Sequence, residues 1–86
     1  MSALTDYVEQ HNKWNAIFGK APLSLAKAAD RQRIADMIDG DLSPENLTCD
    51  GELSRSAVQA KYRQLTRAAQ ELQSIDPSVE FFEYGC

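Results

Sequence analysis

Four regularly spaced side chains are the residues of this sequence best suited to chemistry, and that chemistry is binding. Every fourth position of one stretch is an arginine or a glutamine: Arg55, Gln59, Arg63 and Arg67. At 3.6 residues per helical turn, this spacing winds slowly along one side of a helix. Arg55 near the helix start opposes the helix dipole, and such an unfavourable placement indicates a contact. The spacing therefore predicts a basic helix face that either contacts a partner or stays solvated.

Enzymes show their catalytic residues in sets, and the sequence lacks such sets. It has a single histidine, His11, and no nucleophile elbow, phosphate-binding loop or zinc-protease motif. Five carboxylates fall in one polar segment: Asp39, Asp41, Glu45, Asp50 and Glu52. A flexible loop would not hold any two of them at a fixed separation, and their spacing is not that of an EF-hand. We therefore expect a protein that is not an enzyme and has no cofactor and no metal site.

Composition and charge narrow the compartment and the partners. The two cysteines, Cys49 and Cys86, lack C-x-x-C spacing. The N-terminus does not read as a signal peptide, and no apolar run approaches the roughly 20 residues of a membrane span. We expect a cytoplasmic protein with reduced thiols and no membrane partner. The net charge of −4 disfavours an anionic partner bound over the whole surface, although a local basic face can still act.

The element that must position the arginines is a long helix over 54–75. Its apolar residues recur at spacings of four and three: Val58, Tyr62, Leu65, Ala69 and Leu72. These positions form one stripe on a helix, opposite the basic face. Ser54 is the predicted N-cap, and Pro77 ends the helix because it disfavours helical backbone at Asp76.

A first helix over 2–18 is predicted to cover that stripe. One face carries Leu4, Tyr7, Val8, His11, Trp14 and Phe18. Ser2 or Thr5 would cap the helix, and Gly19 would stop it. Trp14 is predicted to be the main core anchor, and His11 a partly buried structural residue.

The segment 23–38 is predicted to be helical with a break near Asp30. Asp30 would cap a second helix that turns Ile34, Met37 and Ile38 inward, with Gly40 as its stop. An acidic loop over 39–52 would follow. Within that loop, a single helical turn should run from Ser43 through Leu47, pinned by the inward side chains of Leu42 and Leu47.

The aromatic tail, 77–86, completes the predicted architecture. In extended form, Val79 and Phe81 point to one side and Phe82 and Tyr84 to the other. Burying the first pair would leave Phe82 and Tyr84 for a partner. Together the segments predict one all-α domain over 1–86: a small bundle of three to four helices with a long C-terminal helix and a short extended aromatic tail.

One local resemblance suggests DNA binding. The stretches 53–58 (LSRSAV) and 61–65 (KYRQL) look like the turn and recognition helix of the helix-turn-helix repressors of bacteria. In that family the exposed first turns of the helix read the major groove. The resemblance implies that Ser56 and Gln59 would face bases, whereas Arg55, Arg63 and Arg67 would meet phosphates or guanine edges.

A second resemblance, of general build, suggests a protein partner. A small acidic helical chain with an Arg-Gln face and an aromatic tail resembles accessory and inhibitor proteins of bacteria and their phages. Interface cores favour arginine and aromatic residues. The favoured interpretation is therefore a regulatory or inhibitory factor that contacts another protein through Arg55, Gln59, Arg63, Arg67, Phe82 and Tyr84. A structural homodimer is a further alternative, since the stripe on 54–75 has coiled-coil spacing.

Overall fold

The computed structural model describes residues 2–48, 55–82 and 84. These residues form four α-helices, α1 (Ala3–Ile17), α2 (Ala28–Leu42), α3 (Pro44–Thr48) and α4 (Arg55–Ile75), and no strand. The all-α bundle with a long C-terminal helix is confirmed. The predicted cap Ser54 lies outside the described residues, as do Cys49, Asp50, Glu52 and Cys86.

Helix α4 is the element against which the rest of the chain packs. Helix α2 runs antiparallel to it: Arg31 near the start of α2 pairs with Asp76, whereas α3 lies over the first turns of α4. Helix α1 also contacts α4. The shared core contains Leu4, Val8, Leu23, Ile34, Ala35, Ile38, Leu42, Leu47, Leu65, Ala68, Ala69, Leu72 and Val79. The contact of α1 with α4 follows the prediction that the first helix covers the apolar side of the long helix.

Both ends of α1 are capped by hydrogen bonds. The Ser2 hydroxyl accepts from the N–H of Thr5 at 3.0 Å, as predicted. A second cap comes from α4, because the Glu71 carboxylate accepts the N–H of Leu4 at 2.8 Å. At the other end, Gly19 has a φ of +70°, and the amides of Gly19 and Lys20 donate to the carbonyls of Ala16 and Asn15. These two bonds form a Schellman motif, so Gly19 does stop the helix.

The prediction that Trp14 anchors the core was wrong. Trp14 is 54% exposed and Phe18 is 68% exposed, and the buried residues of α1 are Leu4 and Val8 alone. The chain turns back at Gly19. Leu23, which lies after the end of α1, is buried in the same core as Val8. Asn12 holds Leu23 there by accepting its N–H at 2.7 Å and donating to its carbonyl at 3.1 Å. Amphipathic spacing shows which side of a helix is apolar, but it does not show how far the neighbouring elements cover that side.

Helix α2 starts two residues before the predicted cap, Asp30, and ends later than predicted, and residues 23–27, which were predicted to be helical, lie outside it. It begins at Ala28, with Lys27 as N-cap, so Asp30 is not the cap. The Asp30 carboxylate instead lies in the first turn, where it accepts the N–H of Ser24. Gly40 does not stop the helix, which continues to Leu42. A helical glycine costs about 1 kcal/mol, and burial of Leu42 in the next turn offsets that cost.

The segment predicted as an acidic loop is therefore partly helical. Asp39 lies inside α2 and is only 8% exposed. The short turn predicted after Ser43 is confirmed as α3, with Leu42 and Leu47 buried. The idea that nothing holds these carboxylates was wrong for Asp39 and Asp41, since both accept hydrogen bonds from distant residues.

Helix α4 has the predicted length, and one residue of its apolar stripe was misplaced. Leu65, Ala69 and Leu72 are buried and Val58 is half-buried, but Tyr62 is 51% exposed. Tyr62 lies at the edge of the stripe, where five-residue α3 is too short to cover it. The helix ends at Ile75, immediately before Asp76 and Pro77, as expected.

The tail lies along α2, which holds it mainly through the tail's main chain. The Gln32 amide group bonds both the N–H and the carbonyl of Glu80, each at 3.0 Å. The buried Asp39 carboxylate accepts the N–H groups of Phe82 and Tyr84. Val79 is buried and Phe81 half-buried, whereas Phe82 is 83% exposed. Tyr84 is half-buried with its ring 5.3 Å from that of Phe81, so the prediction that it faces outward with Phe82 was wrong.

Candidate partner-binding surface

The predicted basic face lies on the outer side of α4. Arg55, Gln59, Arg63 and Arg67 are all exposed, and the helix buries Leu65, Ala68 and Leu72 on its opposite side. We call these four residues the arginine stripe. The structure confirms that they share one exposed face; their contact with a partner stays a prediction.

The arginines of the stripe have no carboxylate partner among the described residues. One expected arrangement was a solvated face stabilised by pairing Arg67 with Glu71, four residues on. The Glu71 carboxylate instead caps α1 at Leu4. Within 2–48, 55–82 and 84, the single ion pair joins Arg31 to Asp76. The structure thus leaves the guanidinium groups of Arg55, Arg63 and Arg67 available to an external anion.

An apolar groove runs beside the stripe, between α3 and α4. Its volume is about 370 Å³, and it is lined by Leu47, Val58, Gln59, Tyr62 and Arg63. Two stripe residues therefore form one wall of the groove. The exposed Tyr62 ring, which the sequence interpretation assigned to the core, belongs to this surface. The signal that could have revealed it is α3 itself, since a single predicted turn cannot cover both Val58 and Tyr62.

A second groove, of about 400 Å³, borders the other side of the stripe. Its lining includes Arg63 and Arg67 from α4 and Asp6 from α1. Asp6 is the acidic residue that shares this groove with the two arginines. Among the described residues, the lining of each groove therefore carries a net charge of +1, so neither side of the stripe is more positive than the other.

A polar cleft of about 320 Å³ lies between α1, α4 and the end of α2. The Tyr7 hydroxyl donates to the Asp41 carboxylate at 2.7 Å, and the Tyr7 ring lies 4.5 Å from that of His11. Burial, and then the neighbouring Asp41, raise the pKa of Tyr7 far above its ordinary value of 10. The phenol stays protonated in neutral solution, and the half-buried His11 packs against it as a structural residue. The cleft therefore contains a fixed hydrogen bond that joins α1 to α2.

The structure does not bring the predicted tail residues next to the stripe. Phe82 and Tyr84 bond to Asp39 of α2, which packs on the core side of α4, whereas the stripe faces away from that core. The predicted partner-binding residues therefore form two separate surfaces. Tyr84, half-buried against Phe81, belongs to the fold more than to either surface.

The residues predicted to contact DNA bases are exposed, but the helix that precedes them is short. Ser56 and Gln59 are exposed in the first turns of α4, beside Arg55. The helix before them, α3, spans five residues, and the residues 49–54 that would form the turn lie outside the described residues. The exposed first turn is present, but a full-length supporting helix is not present in the described part of the chain.

Residues 2–48, 55–82 and 84 also bear on metal binding and on membrane insertion. No group of histidine, cysteine and carboxylate side chains there could hold a metal ion. No helix in the same ranges combines the length and the apolar character needed to cross a membrane. Comparison with protein families, curated proteins and solved structures finds no match for this chain.

Proposed function

We propose that this protein acts by binding an acidic surface of another protein through the arginine stripe and the adjoining Tyr62 groove, without turnover. It would serve as an accessory, regulatory or inhibitory factor of bacterial or phage type. The observation that carries the proposal is the unneutralised stripe: the nearest acid on α4, Glu71, is committed to the end of α1. Among the described residues, three arginines on one helix face have no carboxylate partner, in a chain with a net charge of −4, and this supports their use by an external partner.

The composition of the surface favours a protein over a nucleic acid. Tryptophan, tyrosine and arginine are enriched at interface hot spots, and here Arg63 and Tyr62 line one apolar groove. An acidic partner segment with one apolar anchor would fit, with its carboxylates on Arg63 or Arg67 and its anchor against Leu47 and Val58. A phosphate backbone has no apolar group for that groove, and the negative net charge weakens its attraction.

The experiment is a pull-down from a bacterial lysate with a matched charge control. The variant Arg63→Glu/Arg67→Glu reverses two stripe charges. The control Lys27→Glu/Arg33→Glu makes the same charge change at two exposed residues outside the stripe. Any prey identified by mass spectrometry is purified and titrated against each variant.

The proposal expects the stripe variant to weaken binding of the purified prey at least about tenfold, because each reversed charge turns an attraction into a repulsion. The control should bind as the wild type does. Equal losses in both variants would show a response to net charge alone, and unchanged binding of the stripe variant would show that the partner docks elsewhere. Either result would overturn the proposal.

The DNA alternative has one structural feature in its favour. Positions 53–67 contain four basic residues and no acid, and the first turn of α4 is exposed. A gel shift on random duplex at low salt tests it: a shift that Arg63→Glu/Arg67→Glu abolishes and Lys27→Glu/Arg33→Glu preserves would replace the protein partner by DNA. The homodimer alternative is tested by measuring the mass in solution by sedimentation, since a dimer would have twice the mass of a single chain.

A further inference from the structure

An exposed apolar corner at the end of α1 is not explained by the fold or by the arginine stripe. Trp14, Ile17 and Phe18 are 54%, 70% and 68% exposed. The rings of Trp14 and Phe18 stack, with centroids 6.3 Å apart and planes inclined by 18°. Three large apolar side chains gathered on one surface of a small protein indicate a contact site.

The backbone presents this corner in a fixed form. The Schellman motif at Gly19 turns the chain directly after Phe18, and Asn12 ties the returning chain to α1 through Leu23. All residues from Ala16 to Pro22 are exposed. The apolar side chains therefore project from a rigid convex corner, which suits a broad, deformable surface.

Charge near the corner has the opposite sign to that of the whole protein. Between Gln10 and Ala26 the sequence contains Lys13 and Lys20 and no acidic residue, in a chain with a net charge of −4. Both lysines are exposed and flank the apolar side chains. Glu9, one turn before Lys13, is the nearest acid along the helix. A partner of this corner should therefore be anionic as well as apolar.

The type of cation separates this corner from the arginine stripe. Lysine is depleted in protein–protein interfaces, where arginine is enriched. Beside tryptophan and phenylalanine, lysine is typical of surfaces that rest on anionic lipid, where the aromatic rings lie at headgroup level and the ammonium groups meet phosphates. The corner has tryptophan, phenylalanine, isoleucine and lysine; the stripe has arginine, glutamine and tyrosine.

We propose that the corner formed by Lys13, Trp14, Ile17, Phe18 and Lys20 docks on the surface of an anionic phospholipid bilayer. The three apolar side chains enter the boundary between headgroups and acyl chains, and the two lysines contact lipid phosphates. This departs from the sequence-based expectation of no membrane partner, which was based on the lack of a signal-peptide pattern and of a spanning segment. Surface docking needs no span, and it leaves the arginine stripe on α4 for a protein.

Trp14 is the only tryptophan of the chain, so its fluorescence reports directly on the corner. The full-length protein is mixed with vesicles of phosphatidylglycerol and phosphatidylcholine in equal parts, or of phosphatidylcholine alone. The proposal expects a blue shift of the emission and co-sedimentation with the anionic vesicles only. Raising the salt to about 0.5 M should reverse both effects, because the lysine contribution is screened.

Two variants and one control test the corner. Ile17→Ser/Phe18→Ser keeps the tryptophan and removes exposed apolar groups, so the helical circular dichroism should be unchanged while vesicle binding is lost. Lys13→Glu/Lys20→Glu should weaken binding at least about tenfold. The control Arg63→Glu/Arg67→Glu makes the same charge change on the arginine stripe, outside the corner, and should bind vesicles as the wild type does.

Three results would overturn the proposal. The first is an emission spectrum that anionic vesicles do not change. The second is vesicle binding that the corner variants leave intact. The third is a dimer in sedimentation velocity that Ile17→Ser/Phe18→Ser dissociates in the absence of any vesicle binding, since the corner would then contact a second copy of the chain.

Discussion

Gly19 and Gly40 occupy opposite backbone environments. Gly19 has a φ of +70°, as the Schellman motif at the end of α1 requires, whereas Gly40 lies inside α2 without a positive φ. A Cβ atom would meet nothing within 4 Å at either position. Any difference between the two substitutions therefore reports backbone conformation alone.

We expect Gly19→Ala to lower the free energy of unfolding by about 1 kcal/mol, because an L-residue is strained at positive φ. Gly40→Ala should raise it by about 0.5–1 kcal/mol, because alanine has the better helix propensity. Urea denaturation followed by circular dichroism measures both. The same sign for the two variants would contradict the assignment of Gly40 to the helix interior.

The titration of Asp76 makes the stability of the folded protein depend on pH in acid solution. The Ser78 hydroxyl, then the Arg31 guanidinium, then the Ser78 N–H lower the pKa of Asp76 from 3.8 to about 2. The folded state therefore prefers the ionised carboxylate. This contribution to stability is fully present above pH 3.8 and is lost as the pH falls towards 2.

The Asp76→Asn variant tests this linkage. The difference in unfolding free energy between wild type and Asp76→Asn should be constant near neutral pH and should shrink below pH 3.8. In Ser78→Ala, which removes the largest cause of the lowered pKa, the loss of stability should be smaller and should be complete at a higher pH than in the wild type. Denaturation in a pH series measures both effects. A pH-independent difference for Asp76→Asn would contradict the account.

At the scale of elements, the sequence predicted the type of each element and its buried face more accurately than the residue at which the element begins. The bounds of α4 followed from periodicity and Pro77, because both act locally. The helical turns predicted from Leu23 were wrong because Leu23 fits the apolar pattern, yet Asn12 holds it outside the helix. That contact joins separate elements, so no local pattern predicts it. The arginine stripe was predicted correctly because it also follows from local periodicity. The exposure of Tyr62 was not predicted, because it depends on the length of α3, a separate element.

Helices α1 and α4 should respond differently to the loss of one large side chain. Leu72 is fully buried in α4, so Leu72→Ala should lower the unfolding free energy by roughly 2–5 kcal/mol. Trp14→Ala should cost about 1 kcal/mol or less, mainly the contact with Phe18. Urea denaturation measures both. Ile38→Val, expected to cost about 1 kcal/mol, gives a graded value if Leu72→Ala does not fold. A larger loss of unfolding free energy for Trp14→Ala than for Leu72→Ala would show that Trp14 does belong to the core.

At the scale of the whole molecule, the tail closes the core. Val79 fills a place against the helices, and Phe82, three residues on, projects outward. Val79→Ala should therefore lower the unfolding free energy by about 1–2 kcal/mol. Phe82→Ala should change it by less than about 0.5 kcal/mol. Thermal denaturation of the two variants checks this prediction, and equal losses would indicate that Phe82 belongs to the core.

Gln32 and Asp39 hold the tail mainly by its amides and one carbonyl, which every residue type except proline presents in the same way. The attachment of this segment to α2 therefore does not depend on which side chains stand at positions 80 and 82. Phe82→Cys, in a chain whose Cys49 and Cys86 are replaced by serine, would give a single attachment point for a dye or spin label, and evolution could vary position 82 while the C-terminal segment stays bound to α2.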